Sequence, residues 1–283
     1  MDDDEVVLRV AGSRVRAFRT RRGTDDPAIV LLHGGSLDSA TLSWQPIWPL
    51  LPRTAQVVAP DLPGFGGSSL GATRPTLAGY RDWLLTFLDA CGLQTVILVG
   101  LSLGGGIALR TAVDAPDRVS ALVLCAPYGV CDRTPGGRVG SLVVHAPGVT
   151  WLTNAILRRS PSLLRRAIGT VLRRPGGVTD QLVTEIHAEL SQPASGAAWS
   201  SFRKYEVRWS GPRTRFGDEL ARVGQPTVFL AGERDHLVPA ADVRAAAARV
   251  PGGRFVLVTG AGHWLPRDAP DLLADEIASI SSA

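Results

Sequence analysis

The sequence predicts an α/β protein with a mostly parallel eight-stranded sheet, helices on both faces, and a helical insertion after the sixth strand. Three observations carry that expectation. Short β-branched runs alternate with longer stretches of helical period, the rhythm of parallel strands joined by crossover helices. The rhythm stops between Cys131 and Arg215, where helical periodicity continues without a convincing strand. A glycine-flanked serine, Ser102, sits where an apolar run gives way to a small-residue helical stretch.

The runs Glu5–Val10 and Ser13–Thr20, joined by Ala11-Gly12, predict an antiparallel hairpin. Ala28–Leu32 is apolar at every position, as a strand covered on both faces requires, and a helix is expected over Ala40–Leu51. Gln56–Ala59 reads as a strand, Thr76–Cys91 as a helix and Gln94–Val99 as the next strand. A helix opens at Ser102 and runs to about Ala115, and Val119–Ala126 is the sixth strand. Pro226–Ala231 and Arg254–Val258 supply the last two, with helices over Ala240–Arg249 and Asp271–Ile280. Inside the insertion, helices are predicted at Gly148–Arg159, Pro161–Arg173, Thr179–Ser191 and Ala197–Trp209. Ser160-Pro161, Arg174-Pro175-Gly176-Gly177 and Gln192-Pro193 separate them. The chain thus divides into a core over 1–130 and 216–283 and a helical insertion over 131–215.

With 283 residues, 45% hydrophobic and 20% charged, the chain can bury a large core, which excludes wholesale disorder and disulfide-stapled mini-folds. Cys91, Cys125 and Cys131 are too few for a disulfide framework and lack zinc-ligand spacing. No metal or cofactor is expected. The start, Met1-Asp2-Asp3-Asp4-Glu5, is the reverse of a signal peptide's basic region, and a cytoplasmic location is expected. Val139 to Leu157 leans apolar but is interrupted by His145, Pro147 and Asn154, so no membrane span is expected. The net charge of +4 is uneven: residues 131–215 carry 13 basic and 5 acidic side chains, a net +8, against −4 elsewhere. Such an insertion suits an anionic or carrier-bound substrate, or an acidic membrane surface, or is simply the solvated face of its helices. Nucleic acid is disfavoured, because no aromatic-interleaved basic platform accompanies the charge. Oligomeric state is left open.

The pattern G-x-S-x-G occurs twice. Gly67-Ser68-Ser69-Leu70-Gly71 has no strand before it and no helix after it, and reads as a loop. Gly100-Leu101-Ser102-Leu103-Gly104 follows a strand and opens a helix, the setting in which a serine is held on a sharp turn. A serine hydroxyl needs a base, normally a histidine oriented by a carboxylate. His263 lies in a glycine-rich loop after the last strand, and Asp235 ends the segment that follows the strand before it. His236 as base and Asp132 as acid are the competing assignments.

At these residues the sequence resembles the α/β-hydrolase-fold superfamily, over nearly the whole core. The order serine, aspartate, histidine is that family's. His33-Gly34-Gly35-Ser36 looks like its oxyanion loop, and Asp61-Leu62-Pro63-Gly64-Phe65-Gly66-Gly67-Ser68 like its turn after the next strand. The resemblance implies Ser102 as nucleophile, His263 as general base, Asp235 as its orienting acid, and the backbone N–H groups of Gly35 and Leu103 as the oxyanion hole. It also makes the insertion a cap, with Ser36, Trp151 and Trp264 as substrate contacts and Leu152, Ile156, Leu157, Trp199 and Trp209 on its underside. His33 is expected to brace the oxyanion loop. A serine nucleophile points to hydrolysis of an ester, lactone or thioester of a small to medium, partly apolar substrate. Trp264 after the base is shared with carbon–carbon bond hydrolases, but Leu101 and Leu103 depart from the asparagine and methionine usual there. A biosynthetic cyclase or lyase using the same residues is the third reading.

Overall fold

In the computed structural model, residues 5–20, 25–52, 54–134, 136–191 and 196–282 are described. The acidic start Met1–Asp4 and the Gln192-Pro193 breaker lie outside the described residues. Strands β1 (Glu5–Val10), β2 (Ser13–Arg19), β3 (Asp25–Leu32), β4 (Ala55–Pro60), β5 (Val96–Leu101) and β6 (Val119–Cys125) precede the insertion. The hairpin β7 (Val207–Arg208) and β8 (Gly211–Pro212) closes the insertion, and β9 (Thr227–Gly232) and β10 (Arg254–Val258) complete the sheet. Eight strands are ordered β1-β2-β4-β3-β5-β6-β9-β10. β2 runs antiparallel to both β1 and β4, and every later neighbour is parallel.

The continuous apolar runs of the central strands follow from burial on both sides. In β5, Val96 and Leu98 enter one core while Ile97 and Val99 enter the other. In β6, Leu122 and Leu124 alternate with Ala121 and Val123 in the same way. The first face is covered by α2 (Leu77–Ala90), α3 (Leu103–Asp114) and α9 (Ala240–Ala247). The second is covered by α1 (Ala40–Trp44), α10 (Leu265–Asp268) and α11 (Pro270–Ser281). The helix expected over 40–51 stops at Trp44, because Pro46 has no N–H to continue the ladder, and Trp48–Leu50 form one separate 3-10 turn.

Between β6 and β9 stand α4 (Gly137–His145), α5 (Val149–Arg159), α6 (Pro161–Val171), α7 (Asp180–Leu190) and α8 (Ala197–Glu206). Helix α4 is additional to the four expected there, and α8 ends before Trp209, where the small hairpin β7–β8 takes over. Val207 is already extended at φ −83° and ψ 119°, and Gly211 at φ +116° with Pro212 bars any helix beyond the turn. The whole excursion leaves and returns at one point: the Phe216 N–H donates to the Gly129 carbonyl at 3.0 Å. From there Gly217–Arg222 and Val223 lead down to β9.

Candidate active site

The parallel strands deliver their C-terminal ends to one edge of the sheet, where loops of open α/β sheets gather side chains. Ser102 sits there between β5 and α3 with φ +49° and ψ −111°, a backbone conformation that a non-glycine residue holds only under constraint. Three hydrogen bonds impose it. The Ser102 N–H donates to the Cys125 carbonyl at 2.9 Å, and its own carbonyl accepts from Gly106 N at 2.9 Å and Tyr128 N at 2.8 Å. The hydroxyl does not cap the helix, so it stays available. The neighbouring glycines are required by close approach: a Cβ on Gly104 would stand 2.1 Å from the Leu32 carbonyl oxygen, and one on Gly100 would stand 2.5 Å from the Gly104 carbonyl.

His263 follows β10 and Asp235 follows β9, which are adjacent parallel strands. Their loops therefore meet. His263 Nδ1 lies 2.7 Å from Asp235 Oδ2, and the other carboxylate oxygen accepts from Leu237 N at 2.8 Å and Val238 N at 3.0 Å. The Asp235 side chain is inaccessible to water and that of His263 is nearly so. The competing residues His236 and Asp132 are both exposed, and neither lines the cavity described below. Thiol chemistry is disfavoured, since burial pushes Cys91 and Cys125 up and holds Cys131 up to about 12, with Asp242 and Asp235 adding to the last. The first G-x-S-x-G segment is pinned to β2, where Ser68 Oγ accepts from Arg16 N at 2.9 Å and Ser69 Oγ accepts from Arg14 N at 3.0 Å.

The loop after β3 is fixed by buried polar groups that sequence reasoning largely missed. His33 is fully buried; its Nε2 accepts from Leu62 N at 2.9 Å, which leaves Nδ1 to donate to the Gly34 carbonyl at 2.7 Å. Asp38 accepts from Gly34 N at 2.7 Å, Ser39 N at 2.9 Å and Ser43 Oγ at 2.6 Å. Burial pushes the Asp38 carboxyl above its ordinary range despite those donors. Ser43 Oγ in turn accepts from Trp264 Nε1 at 2.9 Å, so the residue after His263 is tied through Ser43 and Asp38 to the loop holding Gly35. The available signal was Asp38 beside the α1 cap residue Ser39, but spacing does not reveal that it holds Gly34 N and Ser43 Oγ, or that Ser43 in turn meets Trp264. Asp61 is also fully buried, accepting from Arg16 Nε at 2.5 Å, Ala40 N at 2.8 Å and Gly67 N at 2.8 Å.

A cavity of about 280 Å³ opens at this edge, lined by Gly34, Gly35, Ser36, Asp38, Ser102, His263 and Trp264 below. Leu157, Leu164, Ile168, Val171, Ile186 and Trp199 of the insertion line it from above, making the wall largely apolar. Ser36, at φ +69°, turns the loop beneath it. Trp199 lies so close over Gly35 that a Cβ there would stand 2.4 Å from its ring. Leu103 begins α3, so its N–H has no intrahelical acceptor. One expected contact is corrected: Trp151 is 70% exposed and does not line the cavity. Helix α5 turns Leu157 inward, and Trp151, Leu152 and Ile156 face solvent, as does Trp209. His145 and His187 are held by backbone carbonyls, His145 Nδ1 on Ser141 at 2.9 Å and His187 Nε2 on Arg158 at 3.0 Å.

The profile of the alpha/beta hydrolase fold matches residues 27–270. Pimeloyl-[acyl-carrier protein] methyl ester esterase of Aromatoleum aromaticum is 31% identical over 272 residues, covering 89% of this chain and 98% of its own. The 2-hydroxymuconate semialdehyde hydrolase of Pseudomonas sp. CF600 is 29% identical over 274 residues, covering 92% of this chain and 88% of its own. Among solved structures, a meta-cleavage product hydrolase from Pseudomonas fluorescens IP01 is similar, with TM-score 0.81 and 21% identity over 98% of this chain and 97% of that one. With its sheet order, its helices on both faces and a match over most of its length, the chain belongs to the alpha/beta hydrolase fold family.

Proposed function

We propose that the protein is a cytoplasmic, cofactor-independent serine hydrolase that cleaves an ester, lactone or thioester through an acyl-enzyme, with residues 131–215 as its cap. The observation that carries this reading is the strained, uncapped Ser102 in one cavity with a His263 already bonded to buried Asp235. His263 Nε2 takes the proton from Ser102 Oγ as that oxygen attacks the acyl carbon. The tetrahedral oxyanion is met by the N–H groups of Gly35 and Leu103, donors worth about 3 kcal/mol each when preorganised. His263 gives the proton it took to the leaving group as that group departs. It then draws one from water as the water attacks the acyl carbon, and returns it to Ser102 Oγ as the acyl–serine bond breaks and the acid is released.

The apolar ceiling of Leu157, Leu164, Ile168 and Trp199 supports a medium-sized, partly apolar acyl group. A second reading is cleavage of a carbon–carbon bond in a vinylogous diketone, favoured by the similarity to the 2-hydroxymuconate semialdehyde hydrolase. Ser102→Ala is expected to abolish turnover of an activated ester and labelling by a serine-directed phosphonate. Labelling that persists, or that maps to Ser69, overturns the assignment. Turnover of vinylogous diketones but not of an ester-length panel selects the second reading. Product without oxygen from labelled water selects a cyclase or lyase.

A further inference from the structure

Nine of the thirteen large hydrophobic side chains exposed among the described residues lie between Val139 and Trp209, so the exposed apolar surface is concentrated on the insertion. Helices α4 and α5 are turned inside out. On α4, Val139, Leu142 and Val143 occupy one face at i, i+3 and i+4 and stand 48–70% exposed, while the buried position is Ser141. On α5, Trp151, Leu152 and Ile156 face outward, and the buried position is Ala155. The two helices flank α8, to which His145 Nε2 is joined through the Lys204 carbonyl at 3.2 Å and Thr150 Oγ1 through Ser200 Oγ at 3.4 Å. Beside them Arg138 lies over the Trp209 ring at 5.4 Å and Arg213 over Tyr205 at 4.1 Å, so two exposed aromatics each carry a cation.

Charge reinforces this. From residue 133 to residue 179 the chain contains eight arginines and no aspartate or glutamate. Arg159, Arg166 and Arg174 are exposed on this stretch, and Arg165 is paired with Asp180. We propose that the outer face of α4, α5 and α6, with the β7–β8 turn, docks on the surface of an anionic lipid bilayer. This goes beyond the hydrolase reading and does not depend on it.

Apolar side chains interleaved with arginines match a headgroup layer over acyl chains, where aliphatic groups enter, cations meet phosphates, and amphipathic aromatics lie at the boundary. A second copy of the chain would cover the same apolar groups only by bringing two arginine-rich sets together, which Coulomb repulsion opposes. Helix α5 has 11 residues, about 17 Å, roughly half a hydrocarbon core, and no described helix is long and apolar enough to cross a membrane. The helices therefore lie in the interface plane. Because α5 also supplies Leu157 to the cavity wall, the proposed lipid contact is on the back of an element that walls the site.

The test is flotation of the full chain with vesicles of equal phosphatidylglycerol and phosphatidylcholine, against phosphatidylcholine alone, at 0.1 and 0.5 M salt. Binding is expected only to the anionic vesicles and should weaken at high salt. Arg159→Ser with Arg166→Ser should weaken it about twenty-five-fold, at roughly a factor of five per arginine. Leu142→Ser with Leu152→Ser should weaken it about tenfold through lost apolar insertion. Thermal unfolding of each variant checks that it is folded. The proposal is overturned if the folded wild-type chain fails to float with anionic vesicles. It is also overturned if light scattering finds a dimer that Leu142→Ser with Leu152→Ser converts to monomer, which assigns the face to a second copy. Equal binding to both vesicle types, or equal binding by the arginine variant, refutes the charge argument as well.

Discussion

Asp235→Asn puts the proposed orientation of His263 under a defined stress. The two oxygens of Asp235 are not equivalent: Oδ1 accepts from the N–H groups of Leu237 and Val238, so the amide nitrogen of an asparagine cannot stand there without facing two donors. It must replace Oδ2, 2.7 Å from His263 Nδ1. An amide N–H at that position forces Nδ1 to accept, moving the imidazole proton to Nε2, where it faces Ser102. The base is then in the wrong tautomer with the fold unchanged. A loss of kcat of about 10⁴ is expected, or about 5.5 kcal/mol of transition-state stabilisation at 1.36 kcal/mol per decade. Single-turnover acylation with an activated ester measures the loss, and ¹⁵N shifts of His263 report the tautomer. Activity within tenfold of wild type, with the proton still on Nδ1, would refute the reasoning and return the acid role to another carboxylate such as Asp132.

Two further expectations follow from the loop over Ser36. Gly35→Ala places a methyl 2.4 Å from the Trp199 ring, so either the loop or the tryptophan must move. About a hundredfold loss of kcat/KM is expected from a shift near 1 Å, with recovery to within tenfold in Gly35→Ala/Trp199→Leu; an unaltered kcat/KM in the single variant sinks the idea. Asp38 gives a pH signature. Its carboxyl is raised by burial in the fold, so the native state keeps a proton that the unfolded chain has released, and stability is lost as pH rises from about 4 through the folded value. The amide of the Asp38→Asn variant cannot titrate, so its urea midpoints are expected to lack that component. A wild-type-minus-variant difference that stays flat between pH 4 and 8 contradicts it.

The sheet was legible because its strands are short apolar runs, punctuated by turn residues, in which alternate residues serve opposite cores, as Val96 to Val99 do. Ser102 was legible for a related reason: glycines at 100 and 104 are demanded by backbone contacts within a few residues of the turn or with β3 beside it. Asp235 and His263 could be proposed from chain order, since each follows a strand. What remained hidden depends on side-chain partnerships that leave no periodic mark, whether distant in sequence or near. Trp264 reaches Ser43 across 221 positions, and nothing local to Asp38 announces that it holds the Gly34 N–H. In the insertion, periodicity conveys the helical density and misses the facing. It groups Trp151 with Leu152 and Ile156 but cannot say which side meets the cavity, and the inward residue of that helix is Leu157.

The hydrogen bond from Phe216 to Gly129 closes the insertion at its base. Its two ends are one residue pair apart in space, so the core meets the excursion as it would meet a tight turn. The sheet's crossover from β6 to β9 is completed by residues 217–226 alone. Closing a longer or shorter excursion at that clasp changes the loop entropy only logarithmically, about 0.6 kcal/mol per doubling of length. The insertion is nevertheless keyed to the loop after β10: Trp264 N donates to the Val171 carbonyl at 3.0 Å, and Asp268 accepts from Arg173 N at 2.8 Å, Arg174 N at 2.6 Å and Gly262 N at 2.7 Å. A change of its length or packing is therefore felt beside His263 even though the base stays closed.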